Sequence, residues 1–220
     1  MKLSQFLKKI DWLKTDHPYG SACIRISIEI TIYIDPVNLS EENMLKKADL
    51  ILLTHSHDDH FSVETLEKIV KPTTIIVCPS DCEKSLIQEQ YEFNIYVVSP
   101  GENITLNHTK INAIPAYSTV VHPNSEGWLG YVIEINDFRL YLSGDSAYIP
   151  EMNNLKNIDI AFFNIREPYQ MSPKEVIQAI KAFKPNIAIP IHWIEEEKEN
   201  IDYIIEHSPK STEILILKTK

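Results

Sequence analysis

The sequence predicts an α/β fold: two mixed β-sheets packed together with helices on their outer faces, in one domain over residues 1–220. Three observations point there. Residues 22–34 alternate apolar and polar side chains without a break, which is the period of a half-buried strand. Short apolar runs then alternate with helices that carry their own start signals, the pattern of β-α-β units. A strand-rich stretch followed by a β-α-β stretch occurs twice along the chain, and that repetition implies two sheets rather than one.

The elements follow in order. In residues 22–34, Ala22 and the isoleucines at 24, 26, 28, 30, 32 and 34 share one face. Thirteen residues would make a strand of about 43 Å, so a bend or hairpin is expected near Ser27–Glu29, and Asp35-Pro36 ends the run. Asp49–Leu53 is a short apolar strand that stops at Thr54-His55. A helix is expected from its cap Ser62 to Lys71, ended by Pro72. Thr73–Cys78 is a strand, and Ser80-Asp81-Cys82-Glu83 reads as a capping box that opens the next helix. Strands are expected at Ile95–Val98, Ile104–Leu106, Ile111–Ile114, Leu129–Ile135, Phe138–Leu142 and Ile158–Phe163. Ser172-Pro173-Lys174-Glu175 places a cap, a proline and a glutamate where a helix to Phe183 would begin. Ile187–Ile191 is a strand, residues 195–206 a last helix and Glu213–Leu217 a last strand.

Composition narrows the function. The chain of 220 residues is 44% apolar and 24% charged, enough for an ordinary packed core. Its 31 acidic against 21 basic residues give a net charge of −10, which argues against binding nucleic acid, whose phosphates call for a basic surface. No apolar run reaches the roughly 18 residues of a membrane span. Met1–Ile10 lacks the apolar stretch of a signal peptide, and three cysteines, an odd number, suit a reducing compartment. A cytoplasmic protein acting on a small molecule is expected, with a homo-oligomer left open. Five glycines stand where average usage of about 7% would give roughly fifteen. Gly101 reads as a plain turn, whereas Gly20, Gly127, Gly130 and Gly144 fall beside polar clusters.

The chemistry concentrates in Thr54-His55-Ser56-His57-Asp58-Asp59-His60, directly after a buried strand. Imidazole and carboxylate together suit zinc, manganese or iron. On a tight loop, positions 55 and 57 can point one way and 59 and 60 another, so one motif can serve two ions. A polar loop with histidines by accident is the plain alternative, but three of the eight histidines lie within six positions.

His-x-His-x-Asp-His after a short apolar strand resembles the signature of the metallo-β-lactamase fold superfamily, whose fold is a four-layer αββα sandwich. Asp35 resembles that family's aspartate bracing the metal loop. Ser143-Gly144-Asp145 resembles its strand-end bridging aspartate, and Ile191-His192-Trp193 its last histidine. Pro115-Ala116-Tyr117, His122-Pro123, Gly127–Tyr131 and Pro168-Tyr169 look like a branch of small cytosolic metal-dependent hydrolases. That branch is related to the ascorbate-6-phosphate lactonase and N-acylphosphatidylethanolamine phospholipase D groups.

The resemblance implies a ligand set. His55 and His57 with a third histidine would hold one ion, Asp59, His60 and His192 the other, and Asp145 would bridge. The third histidine is His122 or His108. His108 sits in a turn between two strands and reads as exposed, which favours His122, in a proline-containing loop. The implied cofactors are two divalent ions, zinc first, with manganese, iron or nickel as alternatives. Two such ions about 3.5–4 Å apart can hold a hydroxide between them and polarise an ester, lactone or phosphoryl oxygen, with Asp59 and Asp145 as the catalytic carboxylates.

Other residues have milder readings. His17, Tyr117, Arg166 and Tyr169 are candidates for lining a substrate site, or else a surface-loop histidine and packed side chains. Cys78 and Cys82 lack a second pair for a zinc site and read as packing residues. Glu195–Glu199 reads as a solvated helix start, and His207 as exposed. The expected function is hydrolysis of a small ester, lactone or phosphodiester. A metal-binding protein without catalysis and a small-substrate phosphodiesterase or nuclease are the alternatives. A di-iron redox role is disfavoured by His57, where such proteins carry glutamate.

Overall fold

The computed structural model describes residues 1–88, 93–106, 108–118 and 121–220. Among these residues the chain divides into two compact units, Met1–Ser99 with Leu217–Lys220, and Pro100–Ile216. Each holds one mixed sheet.

The first unit runs α1 (Leu3–Leu7), β1 (Ile10–Trp12), β2 (Ile24–Ser27), β3 (Thr31–Ile34), α2 (Glu41–Met44), β4 (Leu50–Leu52), α3 (Val63–Ile69), β5 (Ile75–Cys78), α4 (Ser80–Gln88) and β6 (Asn94–Val97). Its sheet is ordered β1-β2-β3-β4-β5-β6. β1, β2 and β3 pair antiparallel, and β3 to β6 pair parallel. The alternating run 22–34 is therefore a hairpin, bent at Ile28–Ile30. Strands β3 and β4 are buried along their whole length, as parallel strands covered on both faces must be.

Helix α3 starts at its cap, the Ser62 hydroxyl accepting from Thr65 N at 3.2 Å. Ser80, expected to cap α4, is instead the first residue of that helix. Asp81 in that first turn turns its carboxylate to the loop after β4, accepting from Ser56 N at 3.1 Å. Tyr33, Ile51, Leu66, Ile76, Cys78 and Cys82 pack in this unit's core, fully buried. The two cysteines are thus packing residues.

The second unit runs β7 (Asn103–Leu106), β8 (Thr109–Pro115), β9 (Leu129–Ile135), β10 (Phe138–Leu142), β11 (Ile160–Asn164), α5 (Pro173–Phe183), β12 (Ile187–Ile191), α6 (Lys198–His207) and β13 (Glu213–Ile214). The sheet order is β13-β12-β11-β10-β9-β8-β7. β7 to β10 form an antiparallel meander, and β10 to β13 are parallel. Helix α5 begins in the capping box read from sequence, Ser172 N donating to Glu175 Oε2 at 2.9 Å and Glu175 N to the Ser172 hydroxyl at 3.4 Å.

Two ends depart from the sequence reading. The last helix begins as a 3₁₀ turn over Glu195–Glu197 before α6, and Glu197 Oε2 accepts from Ile194 N at 3.0 Å. The last strand keeps two residues rather than five, because after Leu215 N reaches Ala188 O the chain leaves β12, and Leu217–Lys220 counts with the first unit. His207 is exposed and stacks on Tyr203.

Candidate metal centre

In the first unit the polar groups gather at the C-terminal ends of parallel strands, where open α/β sheets commonly bind ligands. Asp35 follows β3, the motif 54–60 follows β4, and Asp81 follows β5. Asp35 is 1% exposed and sits at φ 45°. Its Oδ1 accepts from Thr54 N at 2.8 Å and its Oδ2 from the Thr54 hydroxyl at 2.7 Å. The same Oδ2 lies 2.8 Å from His60 Nδ1. That contact engages one ring nitrogen of His60 and fixes the ring's orientation, as a carboxylate commonly does for an imidazole in a metal site.

The backbone then closes on itself. His60 N and Phe61 N both donate to His57 O, at 3.0 and 2.9 Å. This turn brings His60 beside His55, ring centroids 4.2 Å apart. His55 Nε2 is 3.1 Å from His57 Nδ1, and Asp59 Oδ2 is 3.9 Å from His60 Nε2. His55, Asp59 and His60 are buried and His57 is half-buried, whereas Asp58 is exposed. Four donors of intermediate hardness thus lie within six residues of chain, and their chemistry fits divalent ions.

In the second unit, Ser143-Gly144-Asp145 leaves the end of β10, Asn164 ends β11, and His192 follows β12. The turn at 143–145 depends on glycine. Gly144 has φ +57°, and a Cβ there would meet Leu129 O at 2.5 Å. A Cβ on Gly130, across the sheet, would meet Leu142 O at 2.6 Å. The backbones of 129–130 and 142–144 can approach only because both side chains are absent.

Asp145, 4% exposed, is held by two carboxamides. Asn164 Nδ2 donates to Oδ1 at 2.8 Å and Gln170 Nε2 to Oδ2 at 2.7 Å. Asn164 is fixed in turn by the Ser143 hydroxyl, which accepts from Asn164 N at 3.0 Å and donates to Gly144 O at 2.9 Å. His122 Nε2 lies 3.3 Å from Asp145 Oδ2, and its ring meets the edge of Trp128 at 5.3 Å between centroids. His192 is fully buried at φ 62°. His108 is exposed between β7 and β8 at φ 64°; Asn107 and residues 119 and 120 lie outside the described residues.

The remaining candidates are not among the clustered donors. His17 Nε2 is 3.8 Å from Asp58 Oδ1. The Tyr117 hydroxyl donates to Glu151 Oε2 at 3.1 Å, and burial together with that carboxylate pushes its phenol pKa up. Arg166 is half-buried, and its carbonyl accepts from Tyr169 N and Gln170 N, both at 2.8 Å. Tyr169 is exposed. Asp81, Asn164 and Gln170 are functional candidates that the sequence reading missed. For Asn164 a signal exists, a polar residue closing an otherwise apolar buried strand; Gln170 has none.

The pattern of the beta-lactamase superfamily domain matches residues 31–193, most of the chain. The chain belongs to that superfamily. A UPF0173 metal-dependent hydrolase of Archaeoglobus fulgidus is 24% identical over 230 residues, covering 96% of each chain. A crystal structure of a candidate metal-dependent hydrolase from Parabacteroides distasonis superposes with a TM-score of 0.78 at 28% identity, covering 92% of this chain and 91% of that one. The metallo-beta-lactamase fold protein YhfI from Bacillus subtilis gives a TM-score of 0.76 at 13% identity, covering 96% of each. This member of the superfamily therefore has the metallo-β-lactamase fold, and several of its homologues bear the name metal-dependent hydrolase.

Proposed function

We propose that this superfamily member is a metal-dependent hydrolase that uses two divalent ions, zinc in the simplest case, to cleave a small ester, lactone or phosphodiester. The family resemblance would assign His55, His57 and His122 to one ion and Asp59, His60 and His192 to the other, with Asp145 shared by both. The observation that carries this reading is Asp145 itself, buried, with one amide donor on each oxygen. The two amides hold this carboxylate in one orientation, as hydrogen-bonded carboxylates that ligate metals are held.

Divalent ions bound by these residues would bring the pKa of water towards neutrality and polarise the substrate oxygen. The chain's own residues do the rest. Asp35 and Thr54 fix the orientation of His60. Asp59 supplies negative charge beside His60 and an acceptor for a proton from attacking water. Tyr117, Arg166, Tyr169 and His17 are proposed as contacts to the substrate, with the Arg166 guanidinium suited to an anionic group. The net charge of −10 favours a small substrate over nucleic acid. Among the described residues, no helix is long and apolar enough to cross a membrane. With three free, buried cysteines, a cytoplasmic location is the simplest reading.

The test is metal content per chain by plasma mass spectrometry, on wild type, His122→Ala and His108→Ala purified without chelator. About two ions in wild type and in His108→Ala, with loss in His122→Ala, is the expected result. A wild type that binds no ion after reconstitution with zinc and manganese would sink the mechanism.

A further inference from the structure

We propose that Gln170 is a positioning residue that sets the affinity of one of the two metal positions, the one served by His122, by holding Asp145 Oδ2. This rests on the dinuclear reading above and deepens it. The two oxygens of Asp145 are not equivalent. Oδ1 takes the Asn164 amide, whereas Oδ2 takes the Gln170 amide at 2.7 Å and lies 3.3 Å from His122 Nε2. Oδ2 is therefore the oxygen on the His122 side.

Gln170 itself is 4% exposed, and its Oε1 is buried with no hydrogen-bond partner among the described residues. A buried acceptor left unmade is destabilising, so packing alone is a poor reason for a glutamine there. What the amide does instead is place an N–H donor on a carboxylate, and that bond is charge-assisted. It fixes the plane of the carboxylate and so the direction in which Asp145 presents Oδ2. Asn164 does the same for Oδ1 from the end of a sheet strand. The two carboxamides come from different places. Asn164 is part of β11, whereas Gln170 sits in the turn closed by Tyr169 N and Gln170 N on Arg166 O. The same turn carries Arg166 and Tyr169, so a substrate that engages either residue would be read by the His122-side ion through Gln170.

The experiment titrates zinc and cobalt(II) into metal-free protein against a chromophoric chelator and records the cobalt(II) absorption spectrum. Variants are Gln170→Leu, Gln170→Glu, Asn164→Leu, His122→Ala and the double variant of Gln170→Leu with His122→Ala. Gln170→Leu is expected to weaken one of two binding steps by about 10–100-fold and to shift the cobalt(II) bands. Gln170→Glu keeps the shape, loses the donor, and should weaken the same step. The double variant should be no weaker at that step than His122→Ala alone, since both act on one ion, whereas Asn164→Leu should weaken the other step. Wild-type affinities and bands in both Gln170 variants would overturn the role while leaving the dinuclear reading intact. So would failure of both variants to fold, which would make Gln170 structural. A wild type that binds no ion overturns the reading of the centre, and this role with it.

Discussion

Asp35 Oδ2 and His60 Nδ1 lie 2.8 Å apart, both buried, although they leave different strands of the first sheet. The neighbouring oxygen of Asp35 takes the Thr54 backbone, so one carboxylate fixes both the start of the histidine motif and its last ring. Asp35→Asn removes the charge and turns one acceptor oxygen into a donor with little change of shape, and asparagine tolerates the left-handed backbone that Asp35 adopts. The variant is expected to fold, to lose about 1–3 kcal/mol of stability, and to bind zinc about 10–100-fold more weakly. Chemical denaturation and a chelator competition measure the two effects, and an unchanged zinc affinity would show that His60 needs no such brace.

Replacing either glycine at the Asp145 turn with alanine places a methyl group against backbone that cannot yield. Gly144→Ala adds an unfavourable φ to a 2.5 Å approach to Leu129 O, whereas Gly130→Ala, with no such φ, approaches Leu142 O at 2.6 Å and Ser143 O at 2.9 Å. Both should cost at least about 2 kcal/mol, with Gly144→Ala the worse. Urea melts of the metal-free proteins decide this; equal stabilities to wild type would mean that the two backbones can separate.

Asp11 and Arg25 face each other across β1 and β2, the guanidinium donating twice to Asp11 Oδ2, at 2.7 and 3.1 Å. Burial alone would raise the Asp11 pKa, but hydrogen bonds from Lys220 and Arg25 outweigh it and hold it below the usual carboxylate range. Because the folded value is the lower one, the contribution is complete above the unfolded value of about 3.9 and is lost as pH falls through the folded value. Thermal melts from pH 6 down to pH 3 should fall less steeply on the acid side for Asp11→Asn than for wild type. Parallel curves would mean that the pair contributes nothing.

The three cysteines are expected to be inert in the folded protein. Burial first, and then the neighbouring carboxylates of Glu83 and Asp81, push the Cys78 thiol up to about 12. Burial and Asp81 likewise raise Cys82, and burial and Asp35 raise Cys23. A thiol reagent at pH 8 should react with none of the three until guanidinium is added, and then with all three, because the thiolate is the reactive form. Rapid reaction in native buffer would show that one of them opens to solvent.

Much of this protein was legible in its residue order. The period-2 run at 22–34, the serine caps at 62 and 172, and the strands 129–135, 138–142 and 187–191 are local patterns. They are set by side-chain alternation and by hydrogen bonds within a few residues, so they appear in sequence as they do in space. The motif 54–60 is local too, which is why four candidate donors could be named without coordinates. What tertiary structure decided lies between residues far apart in the chain. Only the sheet order and the turn after β11 bring Asn164 and Gln170 onto the two oxygens of Asp145, and only the folded loops bury His122 beside that carboxylate, whereas the exposed turn of His108 was readable from the sequence. By its position in Ser80-Asp81-Cys82-Glu83, Asp81 belongs to a helix start, yet its carboxylate serves the loop after β4, since a carboxylate bonds whichever N–H the packing brings to it. The ends of elements were decided the same way. Nothing in residues 213–217 announces that the chain must leave β12 after Leu215, because a strand's length is fixed by the partner it pairs with and not by its own alternation.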